Sequence, residues 1–223
     1  MSDPAPADET IEQRDATGRL VSRCAMLGGV PHGPTLLFGP DGLATAEIGF
    51  AGGQRDGPMV VYDAEGNEQA RLTWRHGVLD GPAVISSAGR VLTEMNYAAG
   101  VAQGPMRSFA ASGALASTAM LRQGRLHGEM VTYRPDGSVM QRLQYSDGLL
   151  DGESVELDPA GVVRRRVHYR AGKLDGDVVE YDAGGRPLSR TVFVADKQVD
   201  GPRAGPAAVT KRQPWYQRFS GRG

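Results

Sequence analysis

Glycine recurs along this chain every 24 residues, and a period of that length marks a tandem array rather than a single globule. One series is Gly18, Gly42, Gly66, Gly89, Gly113, Gly137, Gly161 and Gly185, with steps of 24 and a single step of 23. A second is Gly33, Gly57, Gly81, Gly104, Gly128, Gly152, Gly176 and Gly201, with steps of 24, one of 23 and a last of 25. All but the last member of this series close a G-x-x-x-G pair, the partners being Gly29, Gly53, Gly77, Gly100, Gly124, Gly148 and Gly172. In the last unit Lys197 stands in the partner's place. Both series slip by one residue between Leu72 and Tyr97, as a single deletion in an array would make them do. Glycine is 31 of 223 residues, about twice its usual share. Its periodic placement turns that excess from a sign of low complexity into a sign of repeated turns.

The aromatic residues repeat the test independently. Phe38, Tyr62, Phe109, Tyr133 and Tyr181 lie five residues after a second-series glycine, and Ser86 and Leu157 interrupt the column. Phe50, Trp74, Tyr97, Tyr145, Tyr169 and Phe193 lie three residues before the GxxxG loop, with Leu121 as the interruption. The remaining rings, Trp215, Tyr216 and Phe219, are all in the C-terminal tail.

Between the glycines the pattern has period 2. Trp74, Leu72 and Ala70 alternate with Thr73 and Arg71, and Tyr169 and Val167 alternate with His168 and Arg166, which is the pattern of a half-buried antiparallel strand. Val60 and Tyr62, Val131 and Tyr133, and Val179 and Tyr181 alternate likewise, and are expected on the same aromatic face. Asp-Ala-Glu-Gly, Pro-Asp-Gly and Asp-Pro-Ala-Gly lie between strands as turn formers. Each unit is therefore strand, turn, strand, loop. The expected fold is all-β: an elongated single-layer antiparallel meander of about eight tandem 24-residue hairpins, about sixteen strands spaced ~4.8 Å apart, with one ladder of rings along one face. The boundaries are a disordered acidic segment at 1–9, the repeat array at 10–201 and a basic aromatic tail at 202–223. The first unit, with Arg14 in a ring position, reads as a polar end cap.

The pattern G-x-x-D-G-P-x-x-x-Y-D-x-x-G-x-x-x-x-x-x-x-Y-x-x-G, met by residues 53–81 with Trp74 at the second Tyr and by residues 148–176 with Glu153 at the Pro and Leu157 at the first Tyr, resembles the MORN repeat (membrane occupation and recognition nexus). It is most similar to the bacterial variant of the YwqK type, whose members are commonly labelled antitoxins of toxin–antitoxin systems. The Tyr-x-Gly-x-Trp core of the eukaryotic repeat is absent. The resemblance spans about residues 10–201. It implies a hairpin array used for recognition, without catalysis by the repeat, and a protein partner such as a cognate toxin.

Charge and motifs narrow the function classes. A net charge of −1 and a pI near 6.4 give no pull toward nucleic acid. Five bases and no acid follow Asp200, so the body through residue 200 is acidic and the tail basic. Residues 1–10 carry three acids and two prolines and the first base is Arg14, unlike a secretory leader, and no run of 18 apolar residues occurs. With one cysteine, Cys24, a cytoplasmic location is expected. No HExxH, Gly-x-Ser-x-Gly or phosphate-loop pattern occurs, and nearly the whole chain is repeat. An enzyme, a cofactor and a metal are therefore not expected.

Three features remain as candidates. Arg142, Arg166 and Arg190 share one repeat position, on the face away from the rings, and could grip an acidic partner surface. Glu156 and Glu180 are expected on that face as their neutralising neighbours. Trp215, Tyr216, Arg218 and Phe219 make the tail a docking peptide, a cover for the last hairpin's edge, or a contact for anionic lipid; membrane association through this tail is the alternative reading. Asp56, Asp80, Asp151, Asp175 and Asp200, with His32 and His127 in two copies, share a loop position and read as turn chemistry. Cys24, in the column of Ile48 and Leu72, reads as a core thiol.

Overall fold

Every strand pairs with its neighbours in sequence. The structure, a computed structural model, describes residues 8–201, and all of their regular secondary structure is β. Asp8–Arg14 pairs antiparallel with Leu20–Leu27, that strand with Val30–Phe38, and so on to Lys197–Asp200, all in one sheet. Twenty segments occur, of which Val101–Ala102, Arg125–Leu126 and Leu149–Leu150 are first rungs of strands that resume one residue later. The meander is thus eight hairpins plus one final strand, as the repeat requires. The first strand opens at Asp8, two residues before the expected array start. The segment expected to be disordered, 1–9, is therefore strand at Asp8 and Glu9, where the backbone pairs with Leu27 and Met26; residues 1–7 lie outside the described residues.

Two kinds of turn alternate. The longer one follows the first strand of each unit. At Asp63 the backbone N–H donates to Asn67 O (2.9 Å), and Gly66 N–H donates back to Asp63 O (3.1 Å). The Asp63 side chain accepts from the N–H groups of Glu65 and Asn67, and Gly66 takes φ +83°. This is a type I turn closed by a left-handed glycine. The second kind, in the GxxxG loop, has two residues with positive φ: His76 at 49° and Gly77 at 81°. Mirror-image turns of this type match the right-handed twist of strands.

Both irregular steps of the repeat fall in these turns or beside them. In the fourth hairpin Ser87 pairs with Arg90 across a two-residue turn, Ala88-Gly89, so the shorter kind replaces the longer and one residue is lost. In the last loop the turn is Ala195-Asp196, with φ values of 48° and 69°. Asp196, not Lys197, stands in the partner glycine's place, and the extra residue lies between it and Gly201. Aspartate tolerates the left-handed region better than most side chains.

The pairing register corrects the expected face assignment. Trp74 lies opposite Gly57 and Leu72 opposite Met59, while Arg71 lies opposite Val60. Val60 and Tyr62 therefore share the face of Arg71, not that of Trp74. The same holds at Tyr133, whose hydroxyl is 3.5 Å from Thr118 Oγ1, and at Tyr181, whose ring lies under Arg166. The rings do not form one ladder. The column from Phe50 to Phe193 lines one face, here the tryptophan face, and the column from Phe38 to Tyr181 lines the other, the arginine face. The reason is parity: the second-series glycine sits on the tryptophan face, and the next ring follows five residues later, an odd number.

The core is correspondingly thin. Nine hydrophobic side chains are buried among the described residues, most of them on the middle of the tryptophan face: Ala83, Ala119, Met130, Val167 and Val178. Ala119, Met130 and Tyr145 pack with Met106, Leu126, Leu143 and Leu150. On the arginine face Val60 and Val131 are buried. Among the described strands each sheet edge is charged, with Glu9, Glu12 and Arg14 at one end and Lys197 and Asp200 at the other. Such edges resist adventitious strand pairing.

Candidate functional site

Arg142, Arg166 and Arg190 do share one row. Val131 lies opposite Arg142, which lies opposite Val155; Arg166 follows, then Val179, then Arg190. Successive arginines are two strands, or ~10 Å, apart. The row alternates a guanidinium with a branched aliphatic.

Each of the three arginines meets an acid across its own hairpin. Arg142 Nη1 donates to Glu129 at 3.0 Å, Arg166 Nε lies 3.5 Å from Glu153, and Arg190 Nη2 donates to Asp177 at 2.8 Å. The hydrogen bond from Arg190 to Asp177, and then the charge of Asp177, raise the arginine's pKa above its ordinary value. The three acids follow Gly128, Gly152 and Gly176 directly, a position held by proline in earlier units. Glu156 and Glu180 are not the neutralising neighbours. They lie opposite Arg165, on the tryptophan face, where Arg165 Nη1 is 3.7 Å from Glu156. The sequence does carry the signal for the real pairing, an acid thirteen residues before each arginine in three successive units.

The pattern extends along the face. Arg107 pairs with Glu94 at 3.3 Å and Arg23 with Glu12 at 2.9 Å, and Arg71 pairs with Glu68. The result is a surface of fixed, alternating charge over half-buried aliphatic and aromatic side chains. Exposed pairs of this kind add little stability, but they hold guanidinium planes in place. A pre-positioned guanidinium offers its remaining N–H groups to carboxylates or carbonyls and its face to rings.

The aspartate column has a structural task. Asp56 Oδ2 accepts from His76 N–H (3.0 Å), Asp80 from Ala99 N–H (3.4 Å) and Asp151 from Ala171 N–H (3.3 Å). His32 stands in for the aspartate and accepts from Gly52 N–H on Nδ1 (3.4 Å). Each side chain thus caps the two-residue turn of the following unit, not its own. Beside these caps, Gly77 N–H donates to Arg55 O and Gly148 N–H to Leu126 O, stitching successive loops along one side of the sheet. Among the described residues no three His, Cys, Asp or Glu side chains gather as a metal site would need. Cys24 is half-buried on the tryptophan face and accepts a hydrogen bond from Thr35 Oγ1 at 3.0 Å. Trp215, Tyr216, Arg218 and Phe219 lie outside the described residues.

The arginine face also holds an open depression of about 320 Å³ beside Ser86, where the ring column is interrupted. No family model matches the chain, and no curated protein matches it.

Proposed function

We propose that this chain is a non-catalytic, protein-binding repeat scaffold of the MORN type, working in the cytoplasm as the antitoxin or immunity partner of a toxin. The observation that carries the reading is the arginine face itself. Across the last three hairpins it presents guanidiniums at regular intervals, each oriented by an acid and each flanked by valine. Guanidiniums already paired with an acid have less side-chain freedom to lose on contact than unpaired ones. The face can take a partner with carboxylates spaced at two-strand intervals and apolar side chains between them. The resemblance of residues 10–201 to YwqK-type arrays supplies the toxin as the partner class.

Co-expression with the products of flanking genes tests the reading. The expected outcome is a stable complex with one of them and relief of the growth arrest that product causes alone. The triple change Arg142→Ala, Arg166→Ala and Arg190→Ala is expected to weaken the complex by at least about tenfold, with the unfolding transition kept. If no flanking product binds, or if the triple variant binds as tightly as the parent, the assignment falls.

A further inference from the structure

The ring column on the arginine face runs Phe38, Tyr62, Ser86, Phe109, Tyr133, Leu157 and Tyr181. Only Ser86 replaces a large side chain by a small one. In the last hairpin, where the column is intact, Arg166 of the preceding strand lies over the Tyr181 ring at 5.9 Å. The repeat places Arg71 relative to Ser86 as it places Arg166 relative to Tyr181. Arg166 lies opposite Val179, two residues before the ring, and Arg71 lies opposite Val84, two residues before the serine.

The space left is open. The depression beside Ser86 reaches down to Val84 and Arg71 and is walled by Asn67, Glu68 and Val91. A second depression, about 300 Å³, occupies the equivalent place one hairpin short of Tyr62, and there Phe38 forms part of the lining. With that ring present, the counterparts of Val84 and Arg71, namely Leu36 and Arg23, no longer line the space. Beside Ser86, where the ring is missing and the turn is one residue shorter, the aliphatic floor and the arginine line the space. Arg71 is held by the Glu68 carboxylate, and a guanidinium paired in this way through its N–H groups retains its flat face for a ring.

We infer that the Ser86 depression is the binding slot for an aromatic side chain of the partner protein, which completes the interrupted column and stacks on Arg71. The inference rests on the protein-binding reading above and names the side-chain class that the partner inserts. Aromatic anchors in pockets dominate the energetics of many protein interfaces. Ser86 lies in the fourth hairpin and Arg142 in the sixth, so anchor and arginine row address different parts of one partner surface.

The test uses the full chain, isotopically labelled, titrated with N-acetyl-tyrosinamide and, in parallel, with N-acetyl-leucinamide. Saturable amide shifts at Val84, Ser86 and Val91 are expected with the tyrosine probe and not with the leucine probe. Ser86→Tyr, which fills the slot from within, is expected to abolish them and to leave the protein folded. Arg71→Gln is expected to weaken the tyrosine probe by roughly two- to fivefold. Equal shifts with both probes, or shifts that persist in Ser86→Tyr, overturn the slot, as does a response only after residues 202–223 are removed, which would give the slot to the chain's own tail. The two readings fail separately. A flanking product that binds parent and Ser86→Tyr equally well removes the slot and keeps the scaffold. A tyrosine-selective slot in a protein that binds no flanking product keeps the slot and removes the antitoxin.

Discussion

At Gly81 the backbone takes φ +127°, and an added Cβ would stand 3.0 Å from Thr73 Cβ. Gly152 meets Gln144 and Gly176 meets His168 in the same way. At these three members of the second series glycine thus answers a close approach between strands as well as a backbone angle, whereas at Gly57, Gly104 and Gly128 of the same series, and at Gly66, φ +83°, an added Cβ meets open space. Gly81→Ala is expected to destabilise by about 2–3 kcal/mol, and Gly66→Ala by only about 1–2, measured by chemical denaturation. Side chains divide as clearly. Trp74 is half-buried and lies under the Arg55 guanidinium at 4.7 Å, so Trp74→Ala is expected to lose about 2–4 kcal/mol. Arg71, exposed and paired only with Glu68 among its ion-pair partners, is expected to lose under about 1 on change to alanine. Comparable small losses for both would mean that the tryptophan face is not the packed one. The glycine columns were legible from their spacing. That Gly81, Gly152 and Gly176 also serve contact was not, because contact depends on which side chain of the previous strand lies beneath each.

Among the elements, the turns carry the repeat's polar chemistry. Hydrogen bonding from the side chain of Thr17 to Asp15, from that of Ser138 to Asp136, and from the backbone of Val162 to Asp158 lowers each carboxyl below its ordinary range. A depressed folded pKa contributes stability above the unfolded value of ~3.9, and that contribution is lost as pH falls through the folded values. Denaturation midpoints are therefore expected to hold above pH ~4 and to fall below it. Asp158→Asn keeps an oxygen acceptor for the turn N–H groups but no titration, and is expected to flatten the acid limb. An unchanged acid limb in several such variants would show that the turn carboxylates contribute nothing. At this scale the hairpins and the place of the deletion could be read from period alone. The faces could not be read one column at a time: each ring column was regular, but their relation depended on the register that sets Trp74 opposite Gly57. For the same reason Glu156 and Glu180 were expected beside the arginines and instead lie across the sheet from them.

The molecule as a whole is one sheet with two unlike faces. The tryptophan face carries most of the buried side chains, and the arginine face carries fixed ion pairs, a second ring column and the Ser86 interruption. A continuous face is what a single-layer repeat offers in place of a cleft, and both the proposed partner contact and the aromatic slot depend on the arginine row and the Tyr181 column lying on the same side. Nuclear Overhauser contacts of the Tyr181 ring in the full chain test that assignment most directly. Cross-peaks to the Arg166 side chain and Val179, with none to the Tyr169 ring, are expected. Cross-peaks between the Tyr181 and Tyr169 rings, with none to Arg166, would put all the rings on one side and contradict the account.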